Sequence, residues 1–530
     1  MSAKAGETPV AEFTDDVLVI ARGYTFAEPA IELGVVVEDG QPVPSAGVRI
    51  PLSMLNRHGL VAGATGTGKT KTLQLMAEQL SAAGVPVFAA DIKGDLSGLA
   101  SPGAPSDKLT ARTREVGQDW RPLACPAEFF ALGGEGLGVP LRATVSSFGP
   151  VLLSKVLGLN AVQESSLGLV FHYADTAGLP LLDLTDLRAV LTHLTSDEGK
   201  AELKDLGGLS PATVGVILRS LVTFAGQGAE MFFGEPEFDT ADLLRVAADG
   251  RGVVSLLELP NLQDRPALFS TFLMWLLADL FHDLPEVGDV EKPKLVFFFD
   301  EAHLLFADAS KAFLDAIAQT VRLIRSKGVG IFFVTQTPDD VPDDVLAQLG
   351  SRVQHQLRAH TPRDAKALKQ TVETFPSSHY DLAKTLQQLG IGEAVVTVMD
   401  PDGTPTPVAW TRLRAPQSLM APTPAEVLRP GIASSALMDR YGETLDRDSA
   451  REMLARKLEA GAQAEQQQRQ TRAPRAAAKA SDPARPRRRP APREEQSVVE
   501  QVVASTIFRQ FARTAGREIV RGLFGAARRR

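Results

Sequence analysis

The chain has 530 residues, 44% of them hydrophobic and 23% charged, with one cysteine. That length exceeds one ordinary domain, and the composition is that of a globular protein, which excludes wholesale disorder. A lone Cys125 excludes an intrachain disulfide. The longest apolar runs, such as Phe272 to Leu277, fall far short of the ~20 residues of a spanning helix, so no integral membrane segment is expected. No signal peptide is visible, and a cytoplasmic location is expected. The formal net charge of −8 is unevenly placed. Residues 1–460 hold 40 basic and 58 acidic side chains, and residues 461–530 hold 16 and 6, an acidic body with a basic tail.

Residues 1–45 contain two short β-like runs, Val17 to Ala21 and Ile31 to Val37, read as a small N-terminal β segment leading into the main domain. Leu60 to Ala62 is a buried-strand run, Thr70 to Ala83 a helix with Leu73, Met76, Ala77 and Leu80 on one face, and Val85 to Ala90 a second strand. This βαβ order predicts an α/β fold with a mainly parallel sheet. Between the first strand and the helix stands Gly63-Ala64-Thr65-Gly66-Thr67-Gly68-Lys69-Thr70, a full G-x-x-x-x-G-K-[ST]. Glycines let successive backbone amides turn inward on a phosphate chain, and the following helix points its N-terminal dipole at the same anion. Lys69 is placed to reach the β- and γ-phosphates of ATP and the Thr70 hydroxyl to ligate Mg²⁺. A glycine turn that merely joins strand to helix is the plainer reading, and the flanking elements argue against it.

Residues 100–250 read as a mostly helical insertion: loops rich in Pro and Gly first, then helices over Val151 to Leu157, Ser165 to Thr176, Leu184 to Leu194 and Ser210 to Gly226. Strands resume at Gly252 to Leu259 and at Leu295 to Phe299, the latter ending in Asp300-Glu301. At the end of a parallel strand Asp300 suits Mg²⁺, held through water, and Glu301 suits activation of the water that attacks the γ-phosphate. Many kinases and GTPases need no such base, and no N-K-x-D motif reads guanine here. A helix over Phe313 to Arg325 carries Arg322 and Arg325 near its end. They are either routine partners of the helix dipole or a source of an arginine finger for a neighbouring subunit. The strand Ile331 to Val334 leads to Thr335 and Gln336, whose side chain either meets the γ-phosphate and attacking water or serves the loop before Pro338. Strands over Val353 to Leu357 and Ala394 to Met399 bring the core to about seven.

These motifs, with Lys327-Gly328-Val329-Gly330, resemble the HerA/FtsK superfamily of P-loop motors. Asn56 to Ala62, Phe232 to Pro236 and Gly350 to His355 narrow the resemblance to the HerA-like helicase C-terminal family, over roughly residues 45–460. The resemblance implies a RecA-like ATPase core assembled as a ring, usually a hexamer, around DNA, with ATP hydrolysed at subunit interfaces. By position Lys69, Thr70, Asp300, Glu301 and Gln336 match the family's active-site set, Arg325 its arginine finger and Arg57 its basic residue upstream of the phosphate loop. The N-terminal β-barrel of archaeal members is absent or reduced to residues 1–45. An ATPase of the same superfamily acting on protein, or a nucleotide-gated scaffold, is the alternative, and Glu301 disfavours the scaffold.

After the ATPase core, 46–415, a helical extension is expected over 416–460 and a disordered linker over 461–495, where Gln, Ala, Pro and Arg dominate. Residues 496–530 read as a basic amphipathic helix with Arg509, Arg513, Arg517 and Arg521 at four-residue steps. It suits DNA phosphates, an anionic membrane surface, or, the plainest reading, its own ring or a protein partner.

Overall fold

A computed structural model describes residues 14–133, 136–259, 266–288, 290–306, 311–445 and 447–479. Twelve strands form one sheet among them: β1 (Ala30–Glu38), β2 (Gln41–Pro51), β3 (Gly59–Ala62), β4 (Val87–Asp91), β5 (Ala127–Leu132), β6 (Val139–Leu141), β7 (Val254–Glu258), β8 (Leu295–Phe299), β9 (Val329–Thr335), β10 (Ser351–Gln354), β11 (Glu393–Thr397) and β12 (Ala409–Leu413). Their order is β2-β1-β12-β11-β10-β3-β9-β8-β4-β7-β5-β6. From β10 to β6 every pairing is parallel, and from β10 back to β2 every pairing is antiparallel. The expected α/β fold with a mainly parallel sheet is therefore present.

Period-two alternation divides each central strand between two cores. Leu60, Phe88, Phe297, Phe299, Ile331 and Phe333 enter one core, together with the helices Val145–Val156, Ala161–Ala177, Leu184–Thr195, Pro211–Gly226 and Pro266–Asp283. Val61, Val87, Ala89, Val296, Phe298, Phe332 and Val334 enter the other, with the helices Asp15–Gly23 and Lys69–Ala82. Burial on both faces is why these strands read as unbroken apolar runs.

The sequence reading differs from the structure in four places. Val17 to Ala21 belongs to the helix Asp15–Gly23, not to a strand: the Thr14 side chain caps it at Val17 N, two acids open it, and Val17 and Ile20 share its buried side. The N-terminal strand pair is β1 and β2, which runs on past residue 45 and joins the main sheet through β12. Its turn is Asp39-Gly40, both with positive φ, a hairpin dipeptide present in the sequence. The region 100–250 is mostly helical as expected, but its first part, read as Pro- and Gly-rich loops, also holds the helix Asp107–Glu115 and the strands β5 and β6, which extend the parallel sheet. Finally, a helix spans Ala450–Lys479, so the extension does not stop at residue 460 and the expected linker is helical over 461–479. Ala, Gln, Glu and Arg are good helix formers, so low hydrophobicity in this stretch does not entail disorder. Residues 480–495 of that linker and the expected helix 496–530 lie outside the described residues.

Candidate active site

Three neighbouring parallel strands, β3, β9 and β8, end side by side, and the next residue after each is Gly63, Gln336 and Asp300. The carboxyl ends of parallel strands are where such sheets bind ligands. Gly63 N donates to Thr335 O at 3.2 Å and Gln336 O at 3.1 Å, and Ala64 N donates to Gln356 O at 2.8 Å. The loop base is thus stitched to β9 on one side and to the chain beyond β10 on the other. Gly63, Gly66 and Gly68 take φ of 155°, 82° and 112°. A Cβ on Gly63 would lie 2.4 Å from the His355 Cβ, so glycine is required there.

Lys69 opens the helix that follows and is buried. Its Nζ donates to Gly63 O at 2.6 Å and Ala64 O at 3.2 Å, which folds the ammonium over the loop. Burial lowers its pKa, opposed by the charges of Glu301 and Asp300. Thr67 Oγ1 donates to Ala64 O at 2.8 Å, Thr65 O accepts from the Arg358 guanidinium at 3.2 Å, and Thr70 is half-buried in the first helical turn.

Asp300 Oδ1 accepts the Glu301 amide at 2.9 Å, while Oδ2 is buried with no hydrogen-bond partner. Burial first, and the Glu301 charge second, push Asp300 up to about 6. A buried carboxylate oxygen left unpaired is costly, and a hydrated cation satisfies it. That oxygen and the Thr70 hydroxyl are both hard donors of the kind Mg²⁺ takes, an ion that uses few protein ligands and completes its shell with water and phosphate oxygens. Glu301 adopts φ 49°, a left-handed conformation that costs a non-glycine residue about 1 kcal/mol or more. The following Ala302 N donates to Val334 O at 2.9 Å and holds the bend. Gln336 is exposed at the end of β9. Asp340 Oδ2 fixes that end by accepting from Thr335 Oγ1 at 2.7 Å and Thr337 N at 2.9 Å.

Arg57 and Arg325 are not brought to this site. Arg57 precedes β3 and Arg325 precedes β9, so both stand at the opposite ends of the strands. Seven residues of β9 separate the two ends, roughly 20 Å at ~3.3 Å per residue. His58 ties the two arginines' supports together: Nε2 donates to Val321 O at 2.8 Å and Nδ1 accepts from Ile331 N at 3.0 Å. Burial pushes His58 down to about 4, the neutral form that this pairing requires.

Three groups were missed in the sequence as members of the site. His355 packs under the loop with Nε2 2.9 Å from Thr72 Oγ1, and burial and Lys69 push it down to about 3. Asp340 holds β9's end. Lys93, after β4, pairs with Glu301 Oε1. None stands in a spacing that announces a role, although His355 lies within one of the quoted family echoes.

The family model described as helicase HerA-like C-terminal matches residues 37–530. No curated protein matches the chain in sequence. The structure is similar to two forms of the bacterial conjugative coupling protein TrwBdeltaN70, one unbound and monoclinic, one trigonal with sulphate. Each is 16% identical with a TM-score of 0.51, covering 79% of this chain and 98% of theirs. VirB4 of Thermoanaerobacter pseudethanolicus is 14% identical, at a TM-score of 0.47, over 74% of this chain and 98% of that one. At these identities the likeness to the coupling protein is one of fold, the RecA-like fold of P-loop ATPases.

Proposed function

The chain belongs to the helicase HerA-like C-terminal family, and from that premise we propose that it is an ATP-hydrolysing ring motor that translocates on DNA. One observation carries the reading: the phosphate loop, Gln336 and Asp300-Glu301 share one edge of the sheet while Arg57 and Arg325 occupy the other. Such a chain holds most of a hydrolytic site and offers its arginines to someone else's. A ring of copies, usually six in this family, supplies that neighbour.

In this mechanism the amides of residues 63–70 and Lys69 hold the triphosphate at the helix N-terminus. Thr70, and Asp300 through water, would hold Mg²⁺, which would neutralise phosphate charge. Glu301 takes the proton of the attacking water, and Gln336 orients that water against the γ-phosphate. Arg325 of one copy, with Arg57 at the same end of the strands, stabilises charge developing at the site of the next. The cytoplasm is the proposed location. Cys125 is a buried free thiol, and no helix among the described residues is long and apolar enough to cross a membrane.

The test is ATP turnover with and without duplex DNA. A rate that rises on adding DNA, in a salt-sensitive manner, supports the DNA motor. A rate indifferent to DNA sinks that part and favours the second reading, a motor for protein of the conjugation or secretion type. The acidic body favours that alternative.

A further inference from the structure

Lys93 lies on the loop that follows β4, the strand beside β8. That loop is built around the fully buried Asp91. Its Oδ1 accepts the amides of Gly94 at 2.8 Å and Asp95 at 3.1 Å, and its Oδ2 accepts that of Leu96 at 2.7 Å. Three amides closing on one carboxylate fix the loop, so the Lys93 stem leaves from a set position. Its Nζ pairs with Glu301 Oε1, while the His303 ring nitrogen Nδ1 lies 3.2 Å from Oε2. The Glu301 side chain is 8% exposed and that of Lys93 40%. Much of the Lys93 side chain is therefore open to solvent, whereas the carboxylate is enclosed, with Oε2 buried and unpartnered. Lys69, Asp300 and Lys93 lie close enough to act on one another electrostatically.

A general base needs an oxygen free to receive a proton from the attacking water. With Oε1 held by an ammonium and Oε2 buried away from solvent without a hydrogen-bond partner, the carboxylate presents no open oxygen to a water. A terminal phosphate seated beside Lys69 presents several anionic oxygens and competes for the same ammonium. We infer that Lys93 is a positioning residue that withholds Glu301 from water until a γ-phosphate draws the ammonium away. The inference rests on the reading of Glu301 as the base of an ATP-hydrolysing site. ADP has no γ-phosphate and leaves the clamp closed, so the device makes the base available only when there is a bond to break.

The experiment is a double-mutant cycle read on binding. Affinities for a non-hydrolysable ATP analogue and for ADP are measured by calorimetry on the full chain, for the native sequence, Glu301→Gln, Lys93→Met and the double variant. If the clamp and the phosphate compete, Glu301→Gln frees the ammonium. The analogue then binds about fivefold tighter, and ADP changes by less than about twofold. Lys93→Met weakens the analogue by a similar factor, and in that background Glu301→Gln shifts analogue binding by less than about twofold. Lys93→Arg keeps the cation and restores the preference for the analogue. Tightening by Glu301→Gln that persists in Lys93→Met overturns the inference, because it then reports only relief of repulsion between Glu301 and the phosphate. Equal tightening for ADP overturns it as well. A native chain that binds the analogue without hydrolysing ATP defeats the proposed function and leaves the cycle readable. A chain that binds neither nucleotide defeats both.

Discussion

His58 and His355 are each fully buried and pushed far below the ordinary imidazole value, to about 4 and about 3. The folded chain keeps them neutral, while the unfolded chain takes up a proton at each below ~6.5. Stability is therefore full above pH 6.5 and falls as the pH drops toward 4 and 3. At pH 5 each histidine accounts for a loss of about 2 kcal/mol relative to pH 7. Urea denaturation at the two pH values checks this: His58→Gln and His355→Gln should each remove about 2 kcal/mol of the difference, whatever they cost at pH 7. At the site itself, Lys69→Ala should abolish nucleotide binding, and Glu301→Gln should bind ATP and turn it over at least ~100-fold more slowly, as expected for loss of a general base. Turnover by Glu301→Gln at the native rate would remove Glu301 from the role given to it here.

Elements were legible where one signal dominated. The phosphate loop combines a fixed spacing with a strand before it and a helix after it, and β8 and β9 are short apolar runs between turn signals. What escaped notice needed partners distant in sequence. β12, at Ala409–Leu413, alternates buried and half-buried residues and is stabilised by pairing with β1 and β11, elements far back in the chain or across a long turn. β5 is a strand because β7 offers it an edge, and β6 because β5 does. Likewise Asp300 and Glu301 could be placed from their strand, whereas Lys93 acquires meaning only because β4 folds beside β8. The hairpin turn gives a test at this scale. Gly40 has φ 78°, so Gly40→Val should lower the unfolding free energy by about 1–2 kcal/mol, read by urea denaturation. It sits across the sheet from the loop, and the ATP turnover of the folded variant should be unchanged.

For the whole molecule, a site at one edge and arginines at the other predict complementation between copies. Arg325→Ala should bind ATP and fail to hydrolyse it, as should Glu301→Gln. Mixing the two should recover part of the activity, because some interfaces then join an intact Glu301 to an intact Arg325. Exchanged rings with no recovery would leave Arg325 as a helix-end cation. The way copies meet is constrained by the two outer strands. At one margin β6 has three residues, Val139–Leu141, with Pro140 at its centre. At the other, β2 carries Pro42 and Pro44 and slips register twice against β1. Proline offers no amide to a further strand, and shifted register twists the margin away from a flat template. Both margins of the described sheet are therefore poor templates for a further strand. In the proposed ring, contacts would then fall to loops and side chains, which can part and re-form with each turnover without breaking a hydrogen-bonded ladder.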